Sequence, residues 1–268
     1  MPIRAVLFDL GDTLIFRAHE PDRERLYALM AAQVDPVLRS WGVESLDTEA
    51  LLAELFSAIE AAQPVRRSQG YEVDAAFIAR GALASHGIEV SPEQAVAFWR
   101  ACAVDLRAWG WQLYPDTLDT LRRVRALGLL TALVSNGWYT SDLRRPLLND
   151  LGLSEELFDA FVLSPDLMRP KPRPEPFERA LALLGVAPAD AVFAGDDLDA
   201  DVRGAKAAGM TTVWKLNGRH ELPPAPEADF TIHDLWELFT LGLFAAETPA
   251  GVPQQSLMPH EDDNAGRY

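Results

Sequence analysis

Asp9 ends an apolar run, Ile3 to Phe8, that only Arg4 interrupts, and the turn residues of LGDT follow it at once. Such a run reads as a strand buried on both faces of a parallel sheet. A carboxylate at its C-terminal end stands where open α/β sheets bind ligands. Left unpaired it would cost on the order of several kcal/mol, so the position asks for a partner. Three other segments put polar groups at or near the ends of apolar stretches: Ser135-Asn136, Lys171 within RPKPRPEPF, and Gly195-Asp196-Asp197 with Asp201 downstream. Singly these are weak, since Ser-Asn after a strand is commonly a turn and a lone Lys is commonly solvated. Together and in this order, chance explains them poorly.

The elements that must position these residues follow from the hydrophobic period. After Leu14 the pattern is helical for about a hundred residues. Arg23 to Trp41 carries an i, i+3, i+4 stripe ended by Gly42; Thr48 to Ala62 carries another, stopped at Pro64; Ala75 to Leu83 continues up to Gly87. Ser91-Pro92-Glu93-Gln94 starts a fourth helix that leads into Phe98 to Trp109. Four helices with short connections predict a small bundle. From Pro115 strands alternate with helices: helices at Asp116 to Leu127, Asp142 to Leu151, Glu175 to Leu184, about Ala200 to Ala208 and Leu235 to Phe244, and strands at Leu129 to Val134, Ala160 to Leu163, Ala191 to Ala194, Thr211 to Leu216 and Phe230 to Ile232. This predicts an α/β fold, a Rossmann-like doubly wound parallel sheet with right-handed crossovers. The expected division is a core of 1–16 and 113–244, an all-helical domain inserted at 17–112, and a disordered tail at 245–268 rich in Pro, Gly, Gln and acid.

The segments VLFDLGDTL, LVSNG, KPRPEPFERAL and FAGDDLDADVRGAKAAGM resemble, in order and spacing, the four motifs of the haloacid dehalogenase-like hydrolases. The likeness is to the subclass with a helical (C1-type) cap after the first strand and covers nearly everything up to about residue 244. It implies phosphoryl transfer through an aspartyl phosphate on Asp9. A carboxylate attacking a phosphate dianion is repelled unless cations neutralise both partners. The same resemblance implies that Asp9, Asp196 and the Gly11 backbone carbonyl hold a Mg²⁺, with Asp201 supporting them from behind or through a water. It sets Lys171, the Ser135 hydroxyl and the Asn136 backbone N–H against the phosphoryl oxygens. The implied function is a Mg²⁺-dependent phosphatase acting on a small phosphorylated metabolite. The alternatives are a weakly active or inactive phosphate- or metal-binding module on the same fold and, less favoured, a haloacid dehalogenase, which lacks the paired acids of GDDLDAD. A phosphonatase is disfavoured because 17–112 contains no Lys for an imine.

One departure stands out. The family's phosphatases commonly carry Asp two residues after the nucleophile, to protonate the leaving oxygen and then activate water. Here that position is Gly11, and Asp12 follows it. Three readings compete: Asp12 takes over as a catalytic residue, the substrate has a leaving group that needs little protonation, or turnover is weak and the protein chiefly binds. A retired site has no reason to keep Asp9, Lys171 and Asp196 together, so hydrolysis stands first. For specificity, Arg66 and Arg67 either grip a second anionic group or are exposed, and His19 near a hinge is expected to be solvated. Trp138 and Tyr139 line the leaving-group side or pack against the helical insertion. Trp109 and Trp111 are expected to pack, and Cys102 reads as a small buried apolar residue.

Composition bounds the remaining classes. The 268 residues are 49% hydrophobic and 24% charged, ordinary for a globular chain, with a net charge of −16. That balance argues against nucleic acid or an anionic membrane as partner. No apolar run approaches the roughly 20 residues that span a bilayer, and Asp9 and Asp12 rule out a signal peptide. A single cysteine allows no internal disulfide and fits a reducing cytoplasm. Lys is scarce, three against 21 Arg, which sharpens interest in Lys171; Lys206 and Lys215 read as ordinary surface or strand-end residues.

Overall fold

The computed structural model describes residues 2–217 and 227–244, apart from the side chains of Arg67 and Ser68. Arg67 as a candidate contact and the tail at 245–268 therefore lie outside the described residues. The first apolar run forms strand β1 (Ala5–Phe8), with every residue buried. Its alternation is divided between two layers: Val6 and Phe8 enter one apolar cluster, Ala5 and Leu7 the other.

Beyond β1 the chain makes a short strand β2 (Ile15–Arg17) and then helices α1 (Arg23–Ser40), α2 (Thr48–Gln69), α3 (Ala75–Ser85) and α4 (Pro92–Ala101). Asp22, Asp47 and Asp74 cap the first three by accepting from first-turn amides, and Ser91 with Gln94 closes a capping box on the fourth. These helices bury a cluster of their own, built from residues such as Met30, Leu51, Leu55, Ala79 and Phe98.

Two expectations fail here. Pro64 does not stop α2, which runs on to Gln69. Interior proline costs about 3 kcal/mol, but the turn beyond it is held by Arg66, which is tied to Glu72 and Ser164, and by Gly70 closing the helix at φ +64. The fourth helix ends at Ala101, and Leu106–Trp109 forms a separate 3₁₀ turn.

The return strand β3 (Trp111–Leu113) pairs antiparallel with β2, Ile15 opposite Leu113 and Arg17 opposite Trp111. Alternation then resumes with α5 (Thr117–Ala126), β4 (Leu130–Ser135), α6 (Ser141–Leu151), β5 (Ala160–Leu163), the short α7 (Ser164–Leu167), α8 (Pro174–Leu184) and β6 (Ala191–Gly195). A π-helical turn at Leu198–Arg203 runs into α9 (Gly204–Ala207) and is followed by β7 (Thr211–Lys215), β8 (Phe230–Ile232) and a 3₁₀ segment, Leu235–Thr240, where a longer last helix was expected.

The sheet order is β5-β4-β1-β6-β7-β8, and every neighbouring pair is parallel. Helices α5 and α6 cover one face through Leu121, Val124, Leu148 and Leu151, and α8 and α9 cover the other through Phe177, Ala180, Leu181 and Ala205. The doubly wound parallel α/β fold is as the sequence indicates. The chain leaves β1 toward β4 and β5 and returns on the opposite side to β6. The order therefore reverses at β1, and the crevice beyond the C-terminal ends of β4, β1 and β6 is the natural ligand position.

Candidate active site

That crevice is a cavity of about 400 Å³ whose wall includes Asp9, Gly11, Ser135, Asn136, Lys171, Asp196 and Asp201. Asp9 is placed by β1, and its amide donates to the Ala194 carbonyl at 3.0 Å. Lys171 arrives from the loop ahead of α8 and is almost completely buried. Its Nζ donates to Asp9 Oδ1 at 2.6 Å, to Asp201 Oδ1 at 2.6 Å and to the Val134 carbonyl at 2.8 Å, using all three protons. The loop is held by Asn136, whose Nδ2 donates to the Lys171 carbonyl (3.0 Å) while its Oδ1 accepts from the Lys171 amide (2.8 Å). The Asn136 side chain is thereby committed to the backbone of Lys171.

Asp201 is buried, and its second oxygen accepts from the amides of Asp196 (3.1 Å) and Asp197 (3.0 Å). It reaches them because the π-helical turn winds back over the end of β6, a distortion typical of functional sites. Gly195 is obligatory there: a Cβ would lie 2.4–2.5 Å from the Asp201 side chain. From β7 the Trp214 indole N–H donates to the Asp196 carbonyl at 2.8 Å.

Asp9, Asp196 and Asp201 each offer one carboxylate oxygen within 4.8 Å of the others. Three carboxylates cluster here around one directly bonded ammonium, that of Lys171, with the Lys215 ammonium in the field of Asp196. Burial pushes the Asp201 carboxyl up, with Lys171 opposing it. For Lys171 burial works against the charge, but Asp201 and Asp9 outweigh it and the net direction is upward. The set can hold a cation, and beside it Lys171, Ser135 and Asn136 border the cavity, the Ser135 hydroxyl donating to the Asn136 carbonyl at 3.1 Å.

A family model for haloacid dehalogenase-like hydrolases matches residues 3–209. The chain belongs to that family. A phosphoserine phosphatase of Thermus thermophilus is 37% identical over 48% of this chain, and the match spans only 51% of that relative's length. A glyceraldehyde 3-phosphate phosphatase of Methanopyrus kandleri is 30% identical over 82% of this chain and 86% of its own. Among solved structures, a HAD phosphatase from Thermococcus onnurineus superposes with a TM-score of 0.54 at 27% identity, covering 90% of this chain and 99% of its own. A 2-haloacid dehalogenase from Pseudomonas syringae shares the fold at a TM-score of 0.59 and 24% identity.

Within this haloacid dehalogenase-like fold the remaining candidates divide. Asp12 is exposed and absent from the cavity wall; its backbone is left-handed (φ 55), which takes the chain out of the alternation that carries Asp9 and Gly11. Arg66 is buried, contrary to its exposed reading, and is part of that wall from α2. Its Nη2 donates to Glu72 Oε2 at 2.8 Å and to Ser164 Oγ at 3.2 Å, joining the helical insertion to the sheet side. His19 is exposed, with Nδ1 3.0 Å from the Glu20 carbonyl oxygen. Tyr139 is buried in the cluster of the helical insertion, stacked on Trp99 at 4.8 Å, and Trp138 packs beside it. Trp109 packs there too, while Trp111 joins the sheet-side cluster and Cys102 is buried. Lys206 is a surface residue paired with Asp229 at 3.0 Å.

Lys215 corrects its reading. It is 1% exposed and its Nζ lies 3.3 Å from the centroid of the Tyr114 ring. Burial lowers its ammonium to about 8, against the pull of neighbouring acids headed by Asp116 and Asp196. Sequence reasoning also missed Glu72, Ser164, Trp214 and Asn217. The scarcity of lysine was the one signal that could have led to Lys215.

Proposed function

We propose that this protein is a Mg²⁺-dependent phosphatase that hydrolyses a small phosphorylated metabolite through an aspartyl phosphate on Asp9. The observation that carries the reading is the buried Lys171 bridging Asp9 and Asp201 beside the Asp9–Asp196–Asp201 set at the mouth of the sheet. Relatives named as phosphatases support it. An Asp9 oxygen attacks phosphorus and the bond to the leaving oxygen breaks, the electron pair departing with that oxygen. Water then attacks the same phosphorus, the Asp9–phosphorus bond breaks, and inorganic phosphate leaves. The positive charge of Lys171, the Ser135 hydroxyl once turned from the Asn136 carbonyl, and the Asn136 backbone N–H would stabilise the charge on the equatorial oxygens.

The acidic, all-oxygen donor set fits Mg²⁺, which Asp9, Asp196 and the Gly11 carbonyl would hold, with Asp201 orienting the Asp196 turn. When bound, it supplies the charge neutralisation that lets a carboxylate approach a phosphate dianion. Chelation should abolish phosphate release from an aryl phosphate, and added Mg²⁺ should restore it. Asp196→Ala should weaken Mg²⁺ binding in calorimetry by at least about tenfold and lower activity with it. Full activity in the presence of chelator would refute the metal requirement.

We read 17–112 as a cap over a core of 1–16 and 113–244, the cap contributing Arg66 to the cavity wall and thereby reading a second anionic group on the substrate. Truncating Arg66 alone would strand the buried Glu72 charge, so the test is the double variant Arg66→Met/Glu72→Gln. A charge-assisted hydrogen bond is worth about 1.5–3 kcal/mol. KM should therefore rise about 10–100-fold for a substrate with a second anion and stay within about threefold for p-nitrophenyl phosphate. An equal loss on both substrates would mean that Arg66 only holds the cap in place. The lone cysteine is buried and no described helix is long and apolar enough to cross a membrane, which suits a cytoplasmic enzyme.

A further inference from the structure

The turn that follows Asp9 is gripped on a side that belongs to no motif. The Asp12 carbonyl accepts from Asn217 Nδ2 at 2.5 Å and from Lys215 Nζ at 3.3 Å. Lys215 also donates to Asn217 Oδ1, which accepts in addition from the Tyr114 hydroxyl at 3.1 Å. Tyr114 closes the ring from the β3 side: its face covers Lys215 Nζ, and its amide donates to the Leu14 carbonyl at 3.2 Å. A buried cation, an amide and a phenol, from positions about 100 and 200 residues away in sequence, thus converge on five residues of backbone after the candidate nucleophile. The residue they hold is Asp12, whose left-handed backbone (φ 55) is uncommon outside glycine, though Asp adopts it more readily than most residues.

The grip lies at the end of β7, which already fixes the other acidic turn through Trp214 and the Asp196 carbonyl. Trp214 and Lys215 are successive residues of one strand and point to opposite faces. One strand end therefore sets two turns: that of Asp196 through the indole, and that of Gly11-Asp12 through Lys215 and Asn217. β1 and β6 are ladder neighbours, and the pairing carries the register as far as the Asp9 amide on the Ala194 carbonyl; beyond Asp9 the turn leaves the ladder to β6, and it is there that the end of β7, two strands from β1, holds it.

We propose that Lys215 and Asn217 are positioning residues that hold the Asp12 backbone in its left-handed state and so keep Gly11 in place beside Asp9 and Asp196 in the cavity wall. Neither touches the reacting atoms. The proposal rests on the reading of Asp9 as nucleophile, and its test is arranged so that the two fail separately.

Two variants are made in the full chain. Asn217→Asp keeps the acceptors for Lys215 and Tyr114 and tolerates the left-handed backbone (φ 51) but loses the donor to Asp12. Lys215→Met keeps the buried stem and removes the ammonium. Amide hydrogen exchange should speed up at least about tenfold at residues 10–14 in both variants and be unchanged in the rest of the sheet. Calorimetric Mg²⁺ affinity should fall about tenfold, the scale of an outer-shell partner. With p-nitrophenyl phosphate, kcat should fall about 10–100-fold, as for a displacement approaching 1 Å, with KM within about threefold and melting temperature retained. Asn217→Gln, which restores a donor, should recover part of the loss. Unchanged exchange at 10–14, or faster exchange with wild-type kcat and Mg²⁺ affinity, overturns the proposal. A global loss of protection matching the loss of kcat in Asn217→Asp also overturns it, because the role would then be stability alone. If Lys215→Met does not fold, Asn217→Asp, at a half-buried loop position, carries the test. A wild-type chain without phosphatase activity ends the nucleophile reading, while exchange and Mg²⁺ affinity still decide on the grip.

Discussion

Asp9→Asn will release no phosphate above background from an aryl phosphate that the wild-type chain hydrolyses, a loss of at least about 10⁴-fold, the scale of removing a nucleophile. The amide keeps the shape of the carboxylate and cannot attack phosphorus. The fold will survive. Removing one partner of a buried ion pair usually costs about 3–5 kcal/mol because the other charge is stranded. Here Lys171 keeps Asp201 at 2.6 Å and the Val134 carbonyl at 2.8 Å. The substitution also removes one of three clustered acids, so without metal the melting temperature of the variant should equal or exceed that of the wild type. Phosphate release and thermal melting on the same samples read both halves. Normal turnover by the variant would refute the aspartyl-phosphate mechanism.

Activity will rise steeply as the pKa of the leaving group falls: fast on acyl and aryl phosphates, slow on alkyl phosphates. Gly11 occupies the position on the Asp9 face of the strand where a carboxyl could meet the leaving oxygen. Among the described residues of the wall, no other acid is free for the task. Asp9, Asp196 and Asp201 belong to the charged cluster, Asp197 accepts from the amides of Asp199 and Ala200, and Asp199 is paired with Arg203. A positioned acid/base contributes about 10²–10⁴-fold, so poor leaving groups should lose that much. Gly11→Asp should restore it and flatten the dependence. The site admits the side chain: a Cβ at position 11 meets only Trp111 Cη2, at 3.9 Å, and Gly11 is not left-handed. Asp12→Asn, outside the wall, should cost less than about threefold on any leaving group. If it instead costs two orders of magnitude while the wild type shows no leaving-group dependence, Asp12 is the acid/base after all.

The sequence by itself determined the sheet and where its strands deliver charge. Continuous apolar runs such as Ala5–Phe8 and Ala191–Gly195 are buried whatever their neighbours, so their C-terminal residues fall at the mouth of a doubly wound sheet. Asp9 could be marked because a charge next to such a run has few explanations, and Lys171 and Asp201 through the ordered motifs that resemble the family's; the structure brings the three within hydrogen-bond reach. What only the tertiary structure decided are pairings between residues far apart in the chain, which leave no local period. The β2–β3 ribbon joins two three-residue strands nearly a hundred residues apart, each too short to show alternation. Pro64 reads as a stop until the burial of Arg66 against Glu72 and Ser164 is known, because proline's local penalty is offset by contacts that propensity does not contain. The Asn136 amide had no visible target other than a turn until Lys171 folded onto it. Lys215 looked like a strand end because composition says nothing about which charge is enclosed. Only the placement of β7 two strands from β1, its end beside the turn after β1, puts its ammonium on the Asp12 carbonyl, where burial turns an ordinary lysine into a structural contact.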